Sequence, residues 1–283
     1  MLSPFLKRVL SGYNEHRYCI AEGDYANILE ANSHFEETNR LDLYAPAASE
    51  KQIALTLKAA NISIPKAGRI VDLCCGTGYV ARSLLSMNVV SSMIGIDLSE
   101  AQLDLLRQAV EKKPALQGRL SLLRGNALSL PFEDSSVDMI IGNSFLHHFP
   151  DVGAALIEAG RVLRPNGQFV VLHEPSISAT FYESFPLSLF KDVVVENYTD
   201  LWQFEPDELT RLLYDAGFSK VDILTTGALS SVLLGAASII VNKYFLCWTC
   251  GRAMLQYARA HLNALEYRLS WSRAPSLLIK AVK

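Results

Sequence analysis

The 283-residue chain is predicted to form an α/β fold, built on a seven-stranded, doubly wound and mostly parallel sheet. Two observations predict this class. Short aliphatic runs, typical of buried strands, alternate with helical patterns from about residue 69 to the end of the chain. Strands that alternate with helices pair in parallel, because each helix carries the chain back to the same edge of the sheet. The length suffices for one core with additions, so we expect a single domain, 1–283.

The clearest alternation lies in residues 65–175. Five strand patterns occur there, RIVDL, SSMIGIDLS, RLSLLRGNA, SSVDMIIGNS and QFVVLHEP, beginning at residues 69, 91, 119, 135 and 168. Helical patterns at 78–87, 99–113 and 151–163 lie between them, and Ser99 and Asp151 can cap the second and third helices. The sequence Pro165-Asn166-Gly167 predicts a turn into the fifth strand.

Residues 205–283 form the C-terminal half of the predicted domain. A helix is expected between Pro206 and Gly217, because proline suits the start of a helix and glycine suits its end. The runs KVDILTT and SLLIKAVK, which begin at residues 220 and 276, are the predicted sixth and seventh strands.

Three segments lie outside the alternation of strands and helices. Residues 1–64 have mainly helical patterns and are predicted to form an N-terminal cover. Residues 176–204 are rich in aromatic side chains. Both are candidate lids, because α/β sheets bind ligands at the carboxyl ends of their strands. The third segment, 227–265, is an apolar helical insertion into the C-terminal half.

The insertion at 227–265 carries one narrow polar stripe at helical spacing. The stripe consists of Ser231, Ser238, Asn242, Thr249, Arg252, Gln256, Arg259 and Asn263. A helix that is apolar around most of its circumference must be covered, and three explanations stay open. The insertion packs on the protein's own sheet or forms a homodimer, it lines an apolar acceptor tunnel, or it makes a peripheral membrane contact. Its uninterrupted apolar run, Ala228 to Val241, is too short to span a bilayer.

Charge and cysteine content exclude several classes of function. The net charge is −3 and no basic cluster could follow a phosphate backbone, so we expect no nucleic-acid partner. The five cysteines form no regularly spaced disulfide framework, which favours a cytoplasmic protein, either free or membrane-associated. Cys247 and Cys250 are one helical turn apart, so packing is a sufficient explanation and we predict no metal site.

The stretch IVDLCCGTGYVA, residues 70–81, leads from the first strand into a helix through a glycine turn. Gly76 and Gly78 let the backbone approach a ligand closely, and Asp97, at the end of the second strand, is placed to bind ribose hydroxyls. A dinucleotide would also suit this pattern. However, Asp72 stands where a dinucleotide would lay its anionic pyrophosphate, and like charges repel. A ligand with an ammonium and a sulfonium group, as in S-adenosylmethionine (SAM), fits better.

This glycine turn resembles the first motif of the class I SAM-dependent methyltransferases. GIDLSEAQL is similar to their second motif, and GNALSLPFEDSSVDMIIGNSFLHHFPD to their adenine loop and fourth strand. EAGRVLRPNGQFVVLHEP is similar to the helix, turn and fifth strand that follow. Four motifs occur in the family's order between Arg69 and Pro175. The resemblance implies the Rossmann-like methyltransferase fold of the small-molecule enzymes of type 11 and type 25.

The resemblance also implies which residues meet the cofactor. The turn would hold the methionine part and Asp72 its ammonium, Asp97 would bind the ribose, and Asn126 would meet the adenine where the family more often has aspartate. The full implied set is Asp72, Leu73, Cys74, Gly76, Gly78, Asp97, Leu98, Asn126, Ala127 and Asn143. Purely structural roles stay open for most of these residues. The glycines could serve only a tight turn, the aspartates could cap helices, and the cysteines could be small buried residues.

Catalysis is less evident from the sequence. Methyl transfer from a sulfonium is an in-line displacement, so alignment and exclusion of water can supply most of the acceleration. A base is needed only where the acceptor must lose a proton. The candidates at strand carboxyl ends are His148, His147 and His173, the last followed by Glu174, and each could instead be a structural residue.

We therefore expect a SAM-dependent methyltransferase that acts on a small, apolar or lipid-like molecule and yields S-adenosylhomocysteine. The acceptor atom stays open among oxygen, nitrogen and carbon. One alternative is an enzyme that uses the same fold for other chemistry, such as cyclisation. The other is a non-catalytic assembly or regulatory protein that binds SAM or its demethylated product.

Overall fold

The computed structural model describes residues 46–149, 151–176, 204–227, 248–269 and 276–283. Helices and strands alternate along most of this chain. In order they are α1 (Pro46–Ala59), β1 (Ile70–Leu73), α2 (Tyr79–Ser86), β2 (Met93–Asp97), α3 (Glu100–Glu111), β3 (Leu120–Arg124), β4 (Val137–Gly142), a 3₁₀ helix (Leu146–His148), α4 (Val152–Val162), β5 (Leu163–Pro175), α5 (Pro206–Asp215), β6 (Lys220–Thr226), α6 (Trp248–Leu269) and β7 (Ser276–Val282).

The seven strands form one sheet in the order β3-β2-β1-β4-β5-β7-β6. Strands β1 to β5 pair in parallel, and β7 runs antiparallel to both β5 and β6. The predicted seven-stranded, mostly parallel sheet is therefore confirmed. The strand order runs outward from β1 in one direction and from β4 in the other, which opens a crevice beyond the carboxyl ends of these two strands.

Two hydrophobic layers cover the sheet. Ile53 of α1 and Leu84 of α2 pack with sheet residues on one face, whereas Leu156 of α4 and Leu209 of α5 belong to the layer on the other face. Both predicted helix caps are confirmed. The Ser99 hydroxyl accepts a hydrogen bond from the Gln102 amide, and an Asp151 carboxylate oxygen accepts one from the Ala154 amide. Caps of this kind each contribute about 1 kcal/mol.

The predicted turn at 165–167 lies inside β5. Leu163 already pairs with Val137, and the pairing resumes at Gln168 opposite Met139, so the residues between them form a bulge. Asn166 has a φ of 65°, and a Cβ on Gly167 would lie 2.8 Å from the Arg164 carbonyl oxygen. The Asn-Gly pair thus serves a sharp local bend, as its sequence indicates, but the strand continues through it.

The additions to the sheet are described in part. Of the N-terminal cover, α1 is helical as predicted, and residues 1–45 lie outside the described residues. Most of the segment 176–204 also lies outside them, but its ends meet, since Ser176 pairs with the buried Phe204. Within 227–265, α6 confirms a helix that continues to Leu269, whereas residues 228–247, including Cys247, are not described.

Helix α6 packs against α1 and β6, on the sheet face opposite to α4 and α5. Glu266, which is fully buried, anchors its C-terminal half: its carboxylate accepts hydrogen bonds from the Gly227 amide and, at 3.0 Å, from the Thr226 hydroxyl. Asn263, a member of the predicted polar stripe, lies on the inward side with Glu266, whereas Arg259 of the same stripe is exposed. None of the described helices combines the length and apolar composition needed to cross a membrane.

Candidate functional site

The glycine turn between β1 and α2 has a backbone that requires glycine. Gly76 and Gly78 have φ angles of 49° and 80°, and a Cβ on Gly78 would lie 2.5 Å from Leu106 of α3. Among the residues that the structure describes, a Cβ on Gly76 would meet only the Gln102 side chain, at 3.7 Å. The backbone surface of Gly76 is therefore open, and a ligand could lie directly against it.

Asp97 joins this turn to the end of β2. Its Oδ2 accepts a hydrogen bond from the Gly76 amide at 2.7 Å, and its Oδ1 accepts one from the Ser99 amide at 2.9 Å. One carboxylate thus fixes both the turn after β1 and the first residue of the α3 cap. Because each carboxylate oxygen can accept a second hydrogen bond, Asp97 can still bind the hydroxyls of a ligand.

Asp72 lies beneath the same turn and is almost completely buried. Its Oδ2 accepts a hydrogen bond from the Ala81 amide at 2.9 Å, in the first turn of α2, so the structural role left open by the sequence is real. Its Oδ1 accepts no hydrogen bond from the described residues. Asp72 therefore caps α2 with one oxygen and leaves the other without a partner among the described residues.

The two carboxylates have no positive partner in the part of the chain that the structure describes. Burial raises the pKa of Asp72 well above its ordinary value, and the charge of Asp97 adds to this effect. Burial also raises the pKa of Asp97, although its backbone hydrogen bonds partly offset the rise. Neither forms an ion pair with a lysine or arginine among the described residues. A cationic ligand would relieve this uncompensated negative charge.

The other residues of the turn contribute their backbone. Leu73 packs in the core, so only its main chain faces the crevice. Cys75 is buried and Cys74 is partly buried. Burial raises the pKa of both thiols, and the charges of Asp97 and Asp72 raise it further. Both cysteines are therefore uncharged thiols and poor nucleophiles, as the prediction of small buried residues indicates.

The predicted adenine side lies next to Asp97. The Gly125 amide donates a hydrogen bond to the Asp97 carbonyl oxygen at 3.0 Å, which brings the loop after β3 beside the end of β2. Asn126 stabilises this loop, because its Oδ1 accepts a hydrogen bond from the Leu128 amide at 2.9 Å. Leu98 and Asn126 are half-buried and Ala127 is buried. The structure thus places all three residues along one rim, next to Asp97.

A small cleft of about 30 Å³ borders the glycine turn on the side of α1. Ser49 and Glu50 of α1 line it together with residues of the turn and of α2. Helix α1, the described part of the N-terminal cover, therefore lies beside the turn.

Glu174, at the end of β5, organises the segment after β4. Its Oε1 accepts hydrogen bonds from the amides of Phe145 and Leu146 at 2.7 and 2.8 Å. Its Oε2 lies 2.7 Å from His147 Nδ1 and 3.3 Å from the His147 amide nitrogen. A fully buried carboxylate thus caps the 3₁₀ helix and fixes the orientation of one histidine ring.

The three candidate histidines differ in accessibility. His147 is buried against Glu174, and its ring lies 3.9 Å from that of His148, which is half-buried. His173 keeps exposed surface although protein atoms crowd its ring, and this burial lowers its pKa. The Glu174 charge opposes that effect, whereas the His147 and Arg259 charges support it. Asn143, which follows β4, is half-buried and precedes this group in the chain.

Sequence reasoning missed two interactions at the site, one a set of hydrogen bonds and the other an effect of charge. The first is the set of hydrogen bonds between Glu174 and the 3₁₀ helix, whose His147 lies 27 residues earlier in the chain. The sequence gives only one sign of it, namely an acidic residue at the end of an apolar strand. The second is the proximity of Arg259 of α6 to His173, which the helical polar stripe suggests only in general terms. Among the described ranges, no group of three or more histidine, cysteine or acidic residues could hold a metal ion.

Glu174→Gln tests this arrangement. An amide has one oxygen in place of two, so either the 3₁₀-helix amides or the His147 ring would face an NH₂ group. We expect the free energy of unfolding to fall by about 1 to 3 kcal/mol, measured by urea denaturation. Glu133→Gln, at an exposed position before β4, is the control. Equal stability of the two variants would show that Glu174 does not hold this segment.

Comparisons with known proteins identify the family of this chain. A family model described as a methyltransferase domain matches residues 71–171. The demethylmenaquinone methyltransferase of Geobacillus kaustophilus is 30% identical over 179 residues, which cover 58% of this chain and 76% of that protein. Its counterpart from Staphylococcus aureus is 30% identical over 192 residues, covering 62% and 78%.

Solved structures share the fold. Phosphoethanolamine N-methyltransferase 2 of Haemonchus contortus, in complex with S-adenosyl-L-methionine, has a TM-score of 0.54 at 18% identity, covering 82% of this chain and 52% of that chain. The [4+2]-cyclase SpnF has a TM-score of 0.52 at 20% identity, covering 81% and 80%. At these identities the similarity shows the fold alone.

Proposed function

Since this chain belongs to the class I SAM-dependent methyltransferases, we propose that it methylates a small, apolar acceptor of the quinone type. The observation that carries this proposal is the open glycine turn beside the carboxylates of the buried Asp72 and the partly buried Asp97, neither of which has a positive partner among the described residues. This site suits the cationic cofactor of the family. The acceptor class is supported by the relatives named for demethylmenaquinone and by the apolar insertion at 227–265.

The residues at the site fit SAM, and each would have a distinct role. The open surface of Gly76 would receive the methionine part, and Asp72 Oδ1 would accept from its ammonium. Asp97 would accept from the ribose hydroxyls while still holding the turn. Leu98, Asn126 and Ala127 would border the adenine, and Asn143 would lie near the methionine chain. SAM supplies an electrophilic methyl group on a sulfonium.

The protein would then have to align the acceptor with the methyl group, and to accept a proton if the acceptor must lose one. Alignment and exclusion of water supply much of the acceleration in an in-line displacement. Where the acceptor presents a hydroxyl, a neutral histidine with exposed surface is a suitable base. His173 has this character because burial lowers its pKa, and the half-buried His148 is the second candidate. His147 would position His148, since Glu174 holds its Nδ1.

The alternatives to methyl transfer remain distinct outcomes of an assay. The fold alone does not choose among them, because a cyclase shares it. The relatives that align over most of their length are methyltransferases, and they favour methyl transfer.

The insertion at 227–265 is explained in part by packing within the chain, because α6 contacts α1 and β6. A homodimer or a membrane contact would therefore use the outer side of α6.

Product analysis tests the proposed function. The purified chain, given SAM and a reduced naphthoquinone that lacks the ring methyl group, should yield the methylated product and S-adenosylhomocysteine. Mass spectrometry would detect both. Hydrophilic phenols and amines of similar size serve as comparison acceptors and should react poorly. Equal turnover of apolar and polar acceptors would refute the apolar acceptor, and a rearranged acceptor of unchanged mass would indicate cyclisation.

Substitution of the candidate histidines tests whether one of them acts as the general base or only supports the structure. If His173 takes the proton, His173→Ala should lower kcat by about 10²-fold to 10⁴-fold with SAM binding unchanged. His148→Ala is the parallel test of the second candidate. Glu133→Ala, at an exposed position before β4, is the control. A pH profile of kcat that keeps its acidic limb in both variants would show that neither residue is the base.

Binding of SAM should depend on pH. Burial raises the pKa of Asp72 and Asp97 in the free protein, and a cationic ligand would lower both values, so binding releases protons. Affinity should therefore weaken as pH falls from neutral into the acidic range, toward the raised pKa values. Calorimetry in two buffers of different ionisation enthalpy measures the protons released. S-adenosylhomocysteine lacks the sulfonium charge, so its binding should release fewer protons. An affinity for SAM that stays constant over this pH range would contradict the electrostatic account.

A further inference from the structure

The outer face of α6 is apolar and exposed to solvent. Met254, Tyr257, His261 and Leu265 recur at spacings of three and four residues, so they share one side of the helix. Met254 is 73% exposed, Leu265 47% and Tyr257 39%. We call the side formed by these four residues the outer face of α6.

The inner face of the same helix has the opposite character. Ala260 and Glu266 are buried, and Asn263 lies between them around the helix axis. Glu266 is bound to the end of β6 through Thr226 and Gly227. An ordinary surface helix buries its apolar side and exposes its polar side. Helix α6 instead exposes Met254, Tyr257 and Leu265 on its outer face, where an apolar partner would cover them.

The charge of the surrounding sequence favours an anionic surface. Residues 228–275 contain five lysines and arginines and one glutamate, for a net charge of +4. The rest of the chain carries 21 lysines and arginines against 28 acidic residues, for a net charge of −7. The positive charge is thus concentrated in the part of the sequence that is also most apolar. This combination is typical of segments that lie in the interface of anionic membranes.

We propose that the outer face of α6 docks on the surface of an anionic lipid bilayer. Met254 and Leu265 would enter the boundary between headgroups and acyl chains, and Tyr257 would lie at the headgroup level. The helix would lie flat on the membrane, held to the protein by Glu266 on its inner side.

This docking would bring the acceptor site next to the lipid phase. Helix α6 packs against β6, whose carboxyl end lies at the same edge of the sheet as that of β5. Arg259 of α6 is close enough to His173 for its charge to act on that ring. An apolar acceptor leaving the bilayer beside α6 would therefore arrive near the candidate base. This last step rests on the proposed function, whereas the docking itself does not.

Vesicle co-sedimentation of the full chain tests the proposal. The wild-type protein should bind vesicles of phosphatidylcholine with phosphatidylglycerol, bind phosphatidylcholine alone at least tenfold more weakly, and dissociate at high salt. The double variant Met254→Glu with Leu265→Glu should lose at least tenfold in vesicle affinity. Ile157→Glu is the matched control, because Ile157 is 58% exposed on α4, at the opposite face of the sheet, and should bind as the wild type.

Two further measurements distinguish membrane docking from misfolding of the variants and from self-association. Calorimetry with SAM should give equal affinities for the wild type and both variants, which shows that the variants are folded. Analytical ultracentrifugation reports whether the outer face pairs with a second copy. Vesicle binding by the double variant equal to that of the wild type, or no binding by the wild type, would overturn the proposal. A wild-type dimer that the double variant converts to monomer, without vesicle binding, would assign the face to self-association.

Failure of the proposed function would be visible separately. A short-chain, water-soluble quinol needs no membrane, so the wild type and the double variant should turn it over equally in the absence of vesicles. Vesicle binding without turnover of any acceptor would leave the docking intact and refute the proposed acceptor.

Discussion

The hydrogen bond from the Gly76 amide to Asp97 Oδ2 holds together the parts on which the site depends. Through it, the turn after β1 is fixed to the end of β2, and the second oxygen of the same carboxylate fixes the start of α3 through the Ser99 amide. The loop after β3 joins this group because the Gly125 amide donates to the Asp97 carbonyl oxygen. Three strand ends are therefore positioned around one residue, which burial leaves with a raised pKa.

A second buried carboxylate performs the same task on the other side of the crevice. Glu174 accepts hydrogen bonds from the segment after β4 and holds the His147 ring. In the proposed function the two anchors would have different tasks. Asp97 and Asp72 would offer negative charge to the cationic cofactor, whereas Glu174 accepts hydrogen bonds from protein amides and holds the His147 ring beside His148. The cofactor side would then gain charge complementarity from its ligand, and the acceptor side would have its geometry fixed beforehand.

Much of this arrangement follows from local sequence. The glycine turn, the caps at Ser99 and Asp151 and the seven strands can be predicted because each depends on a few neighbouring residues. The role of Asp72 could not be decided in advance, since a carboxylate at that position suits both a helix cap and an ammonium group. The contact of Glu174 with His147 is long-range and leaves no periodic pattern. The polar stripe of α6 predicted a helix, but only the contact of Glu266 with β6 shows which side faces the protein.

Calorimetry of the purified chain with SAM and S-adenosylhomocysteine, alongside Asp97→Ala, tests the central claim most directly. The account predicts that both ligands bind the wild type and that Asp97→Ala loses most of that affinity, because the variant loses the ribose contact and releases the turn. Asp104→Ala, at an exposed position on α3, should bind as the wild type does. Absence of binding by either ligand, or equal binding by Asp97→Ala, would contradict the assignment of the glycine turn to SAM.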